Sequence, residues 1–240
     1  MPAATIKTIW PDVMALSNAA AHIIVVESNK AIEQKGYCSI ALSGGTTPKV
    51  LYELLAAPPF SKNINWKKCY FYFGDERFVP HTSDESNYKM AIDSLLSKVP
   101  VPKKHIFGIL TENIDPALAA SVYEAEIKQH VNKSNPFDII LLGIGEEGHT
   151  ASIFPNSSLL KETKNWVSNI FVKEKNMERI TFTLSFINTA SNVIFLVSGN
   201  GKTAILKKIF SLKWKQLPAA MVQPKGNLFW LMDEAAAGLT

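Results

Sequence analysis

The chain has 240 residues, a formal net charge of +4 at neutral pH, and 47% apolar against 19% charged residues. A chain of this length buries roughly 70 to 75% of its unfolded surface, so a sizeable core is available and a disordered polymer is excluded. The mild charge gives no case for nucleic acid as a partner. The N-terminus lacks a basic-then-apolar leader pattern, and the apolar run Ile23 to Val26 is far too short to span a bilayer. A cytoplasmic protein without a membrane partner is expected.

In chain order, Val13, Leu16, Ala20, Ile23 and Ile24 recur at helical spacing and predict a helix from Pro11 to about Lys35, with Pro11 in its first turn. Tyr37 to Leu42 reads as a strand, followed by a turn at Ser43 to Thr47 and a helix from Pro48 to about Leu55. A strand at Cys69 to Phe73 and a helix at Asn87 to Leu96 come next, then a helix from Asp115 to Val131 with Pro116 in its first turn. Phe137 to Leu142 and Asn192 to Ser198 are strands running into glycine. A helix from Lys202 to Phe210 and a strand from Asn227 to Met232 complete the series. This alternation predicts an α/β fold with a mostly parallel sheet and helices on both faces. Ala57 to Ile64 and Val99 to His105 read as loops, not boundaries, so one domain is expected over residues 1–240.

Cys38 and Cys69 sit in apolar runs with neither metal-ligand spacing nor a disulfide framework, which predicts buried thiols. Lys202, Lys207, Lys208, Lys213 and Lys215 form the densest basic stretch and read as the solvated face of one helix.

The stretch LLGIGEEGHTASIFP, Leu141 to Pro155, is the most informative. Gly143, Gly145 and Gly148 spell G-x-G-x-x-G after a strand, formally a dinucleotide fingerprint. Glu146 and Glu147 would repel a pyrophosphate, and Pro155 comes too soon for the long helix such a site needs. What remains is a glycine-flexed loop presenting a carboxylate and His149. Ligands of such sheets bind beyond the carboxyl ends of the strands, and three further loops fall there: SGGTTPK at Ser43 to Lys49, GDERFVP at Gly74 to Pro80, and GNGK at Gly199 to Lys202. Gly201-Lys202-Thr203 mimics a nucleotide P-loop, but Leu196 stands where that motif needs glycine, so a nucleoside triphosphate is rejected. Any one such loop is an ordinary turn; four at corresponding strand ends point to an anionic ligand.

LSGGTTPK, GDERFVP with SNY at Ser86 to Tyr88, GIGEEGHTASIFP, ERITFT at Glu178 to Thr183, SGNGK and PAAMVQP together resemble the ordered signatures of the 6-phosphogluconolactonase family, over residues 42–224. The resemblance implies a doubly wound sandwich shared with glucosamine-6-phosphate deaminases. It also implies hydrolysis of 6-phosphoglucono-1,5-lactone to 6-phosphogluconate in the oxidative pentose phosphate pathway, with no organic cofactor and no metal. It places the catalytic histidine at His149 and phosphate contacts at Arg77 and Lys202, with Ser43, Gly44, Gly45, Thr46 and Thr47 at the sugar phosphate. Asp75 and Arg179 join them as substrate-binding candidates within their signatures. One departure is that the family usually has aspartate where this chain has Glu147.

The chemistry can be argued without the resemblance. Water attacking a lactone carbonyl needs a base at neutral pH, and an imidazole suits both that step and return of the proton to the leaving oxygen. Glu147 could orient or charge-stabilise the ring, and backbone N–H groups of the glycine loops could hold the oxyanion. His22 lies in a helix pattern, and His81, His105 and His130 lie in polar surroundings, so structural or solvated roles are expected for all four. There is no G-x-S-x-G elbow and no paired histidines at zinc spacing. Two alternatives stand beside the hydrolase: an aldose–ketose deaminase, expected to show DEYVGL and GHIAFNEP in place of DERFVP and GHTASIFP, and a sugar-phosphate sensor, expected to carry a helix-turn-helix segment where this chain starts almost directly with its sheet elements. The oligomeric state is left open.

Overall fold

Strands that are apolar along nearly their whole length can be buried on both faces, and this chain has three such runs: β2 (Cys38–Leu42), β5 (Ile139–Leu142) and β8 (Asn192–Val197) are buried at every position, Ser39 and Asn192 being their only polar residues. In the computed structural model, which describes residues 2–132, 134–211 and 214–239, they form the centre of a six-stranded parallel sheet. Its order is β1-β9-β8-β5-β2-β3, with β1 (Ala4–Trp10), β3 (Cys69–Phe73) and β9 (Asn227–Asp233) completing it. From β2 the chain adds β3 on one side, then returns to place β5 on the other. The chain order therefore reverses between β2 and β5, where the exit loops diverge and open a crevice beyond the strands' carboxyl ends.

A second, three-stranded antiparallel sheet, which the sequence reading did not foresee, has the order β4-β7-β6, from β4 (Asp75–Arg77), β6 (Val167–Val172) and β7 (Met177–Phe182). Its register pairs Asp75 with Thr181, Glu76 with Ile180 and Arg77 with Arg179. Since side chains alternate along a strand, Asp75, Arg77, Arg179 and Thr181 share one face, and Glu76 faces the other way.

Several of the helices begin where a side chain satisfies free N–H groups. In α1 (Val13–Lys35), Asp12 accepts from the Ala15 N–H at 2.8 Å, and Gly36 at φ 89° closes the far end. Pro11 precedes the cap and is not in the first turn. α1 lies across β1, β2, β5, β8 and β9 with Leu16, Ala20 and Ile24 buried. α2 (Thr46–Leu55) starts two residues before Pro48, so Thr46 and Thr47 lie within it. α3 (Phe60–Asn63) interrupts a stretch expected to be loop. α4 (Asn87–Ala91) is capped by Ser86 and continues as a π-turn over Ile92–Leu96. α5 (Pro116–Ile127) is capped by Asp115 and ends before the expected Val131. The chain continues with α6 (Leu184–Ile187), α7 (Thr203–Ile209) and α8 (Glu234–Ala237). Among the described residues no helix is long and apolar enough to cross a membrane.

Cys38 and Cys69 are buried, free and paired in register across β2 and β3; burial pushes the Cys69 thiol up to about 12. The lysines do not share one helix face: Lys202 lies in the 3-10 turn Asn200–Lys202, only Lys207 and Lys208 lie in α7, Lys215 follows it, and Lys213 is outside the described residues. The surroundings of the other histidines are aromatic, not polar, though consistent with structural roles. His81 stacks on Tyr88 at 4.2 Å, His105 stacks on Tyr70 at 4.1 Å, and His130 Nδ1 lies 3.0 Å from the Tyr72 hydroxyl.

Candidate active site

The crevice at the switch point is a cleft of ≈ 270 Å³ lined by Ser43, Gly44, Gly45, Thr46, Thr47, Asp75, Arg77, His149, Arg179 and Lys202. Ten of the eleven residues proposed from sequence thus line one cavity. Glu147 does not line it but reaches it through His149: its Oε1 lies 2.8 Å from His149 Nδ1. A carboxylate facing Nδ1 requires the proton there, leaving Nε2 with the lone pair.

Glycines make that pair possible. Gly148 at φ 92° turns the chain between the two residues, and a Cβ there would press on Ile205 and Leu217 at 3.1 and 3.2 Å. Its carbonyl accepts from the Ala219 N–H at 3.1 Å, which ties the loop to the PAAM segment. At Gly145 a Cβ would lie 2.1 Å from His149 Nδ1 and 2.7 Å from Glu147 Oε2, so the dyad fits only because this residue has no side chain. Burial works to raise the Glu147 carboxyl, but its own N–H, His149 and Lys202 more than offset this and hold it below its ordinary value.

Behind β4, the buried carboxylate of Glu76 organises the SNY segment. Its Oε1 accepts from the N–H groups of Arg77 and Asn87, and its Oε2 from the Tyr88 N–H and the Ser86 hydroxyl. Burial raises its carboxyl, and the N–H bonds from Asn87, Tyr88 and Arg77 only partly counter this. Asn87, which the sequence reading missed, lines the cleft as well. Its Nδ2 donates to the Asp75 carbonyl at 2.8 Å, and its Oδ1 accepts from Arg77 Nη1 at 2.6 Å. Gly44 permits this, because a Cβ there would lie 1.9 Å from Asn87 Oδ1. The signal was a serine cap before a helix, which reveals the turn but not the reach of the amide behind it.

Asp75 is tied down rather than free: its Oδ2 accepts from the fully buried Ser152 hydroxyl at 2.7 Å. Arg77 and Arg179 face each other across β4 and β7, a like-charge pairing that costs stability without an anion to share. Burial first, then the Arg77 charge, lowers the Arg179 guanidinium, against the pull of Asp75. Its Nε is buried without a protein partner, as is the Ser43 hydroxyl. Asp233 holds the Lys202 loop by accepting from the Ser198 hydroxyl and the Gly199 N–H. Among the described residues no three His, Cys, Asp or Glu are grouped to share a metal ion. The cleft therefore brings a histidine base with its carboxylate together with three cations, Arg77, Arg179 and Lys202, the layout of an enzyme acting on a small anionic substrate.

Residues 11–230 match the family described as glucosamine-6-phosphate isomerases/6-phosphogluconolactonase, and the chain belongs to that family. It is 38% identical over 234 residues to a 6-phosphogluconolactonase of Nostoc sp., covering 95% of each chain. The solved 6-phosphogluconolactonase of Trypanosoma brucei is 30% identical with a TM-score of 0.87, over 100% of this chain and 98% of that one. A monomeric glucosamine-6-phosphate deaminase, at 19% identity and TM-score 0.82 over 99% and 100% of the chains, shares the fold.

Proposed function

We propose that the protein hydrolyses 6-phosphoglucono-1,5-lactone to 6-phosphogluconate, the lactone-opening step of the oxidative pentose phosphate pathway. The observation that carries this reading is the Glu147–His149 pair at a cleft that also holds Arg77, Arg179 and Lys202. Nε2 of His149 takes a proton from water as the water oxygen bonds to the lactone carbonyl carbon. The carbonyl oxygen becomes an oxyanion, held by N–H groups of the glycine loops. Collapse of that intermediate breaks the bond to the ring oxygen, which receives the proton back from the imidazolium. Glu147 keeps the proton on Nδ1 and compensates the charge on the ring.

Arg77 and Lys202 hold the phosphate, with the hydroxyls of Ser43, Thr46 and Thr47 beside it. A guanidinium fork and an ammonium both suit phosphate oxygens. The test is hydrolysis of freshly generated lactone, corrected for spontaneous opening. His149→Asn should remain folded and lose about 10²- to 10⁴-fold in kcat, the usual worth of a positioned acid/base. Near-full activity in that variant would refute the assignment and favour a non-catalytic sugar-phosphate sensor.

A further inference from the structure

The general base needs its imidazole plane fixed as well as its tautomer, and Glu147 fixes only the second, because a ring held by one hydrogen bond can still swing about it. The segment after His149 folds back. Thr150 and Ile153 form an antiparallel bridge, with the Ile153 N–H donating to the Thr150 carbonyl at 2.9 Å. Ala151 takes the left-handed conformation, φ 48°, in the two-residue turn between them. The next pair outward in that register is His149 and Phe154, and directly opposite residues bring their side chains together. Their ring centroids lie 4.5 Å apart at an interplanar angle of 32°.

Two anchors hold the turn in place: the Thr150 hydroxyl donates to the Gly143 carbonyl at 2.9 Å, and the Ser152 N–H donates to the Thr181 hydroxyl at 3.1 Å. Phe154 is only half-buried and does not belong to the hydrophobic core, so core packing does not account for its ring. The guanidinium carbon of Arg179 lies 6.0 Å from the same centroid, so the ring packs on the base and lies within cation–π range of a cleft cation.

We infer that Phe154 is a positioning residue, whose ring sets the plane of the His149 imidazole so that Nε2 addresses the attacking water. The inference rests on the hydrolytic reading above. It acts on the chemical step, because Phe154 does not line the cleft where the phosphosugar sits. Misplacing a reacting group by about 1 Å can cost on the order of 100-fold in rate.

The experiment compares Phe154→Leu and Phe154→Tyr, each alone and combined with His149→Asn, on the phosphorylated lactone. Phe154→Leu should lower kcat at least about tenfold with KM within about twofold, while Phe154→Tyr, which keeps the ring, should restore wild-type kcat. In the His149→Asn background Phe154→Leu should cause no further loss, since its effect passes through the imidazole. A wild-type kcat in the Leu variant, a loss confined to KM, or a loss that persists without the imidazole would each overturn the assignment. Should the Leu variant not fold, Phe154→Met is read by the same outcomes. In the unmodified protein the His149 ring protons should also carry an aromatic ring-current shift, and its absence would equally overturn the inference. An inactive wild-type protein would instead sink the hydrolytic reading.

Discussion

Replacing Gly145 by alanine tests the active-site geometry with a single methyl group. The residue does not have a left-handed backbone, so alanine brings no conformational strain. Its N–H donates to the His149 carbonyl at 2.9 Å, which alanine can also do. The new Cβ would nevertheless lie 2.1 Å and 2.2 Å from His149 Nδ1 and Cε1 and 2.7 Å from Glu147 Oε2. Normal contact for such atoms is about 3.5 Å, so the imidazole must retreat by more than 1 Å or rotate off its carboxylate. Both side chains are at the surface, 26% and 51% exposed, so they can move without opening a core cavity. The expected outcome is a loss of roughly 100-fold or more in kcat, the scale of a displaced catalytic group, with thermal stability changed by no more than about 1 kcal/mol, as for substitutions outside the core. Steady-state hydrolysis of the phosphorylated lactone measures the first and thermal unfolding the second. A folded variant within tenfold of wild-type kcat would refute the reasoning, by showing that the Glu147–His149 contact is dispensable or that the loop opens freely.

Arg77→Ala and Lys202→Ala should each lower kcat/KM for 6-phosphogluconolactone by roughly ten- to hundredfold, the worth of one hydrogen bond to a charged group. Both should do far less to unphosphorylated gluconolactone; equal losses on the two substrates would assign these residues to the fold or the chemistry instead. Away from the site, burial works to raise the Glu124 carboxyl, but the Lys128 ammonium and the N–H groups of Val167 and Trp166 bring it below its ordinary value. A depressed carboxyl contributes stability that is present above the unfolded value of about 4.3 and is lost as pH falls through the folded one. Glu124→Gln should therefore cost on the order of 1 kcal/mol at neutral pH and progressively less below about pH 4, measured by urea unfolding; a pH-independent difference would contradict this.

The parallel sheet was legible because its inner strands are nearly continuous apolar runs, and burial on both faces is what such runs require. The second sheet was not, because its strands lack that pattern. β4 is Asp-Glu-Arg, with charged residues that are stable there only because Ser152 and the SNY backbone meet them from two sides. β1 carries Thr5, Lys7 and Thr8 at an open sheet edge and offers no hydrophobic alternation. The site residues were legible as glycine-bearing loops at strand ends, yet their partners were not. The Arg77–Arg179 pairing exists only in the register of β4 against β7, and Asn87 reaches the cleft only because Gly44 leaves it room. Side chains brought together by pairing of distant segments leave no local trace in sequence.

The glutamate that stands where the resemblance leads one to expect aspartate illustrates how such partners decide a role. A longer acid could overshoot the imidazole, but Gly145 leaves open the space its second oxygen occupies, and the first still meets Nδ1 at 2.8 Å. Half-exposed and held below its ordinary carboxyl value, Glu147 stays ionised at neutral pH. An ionised carboxylate has no proton to give and can only accept. In the proposed reaction its contribution is therefore to fix the tautomer of His149 and to balance the charge the ring would acquire. On that proposal, proton transfer to and from the lactone would fall to the imidazole alone, so that the plane of that ring, and not the length of the acid behind it, is the variable on which the proposed reaction turns.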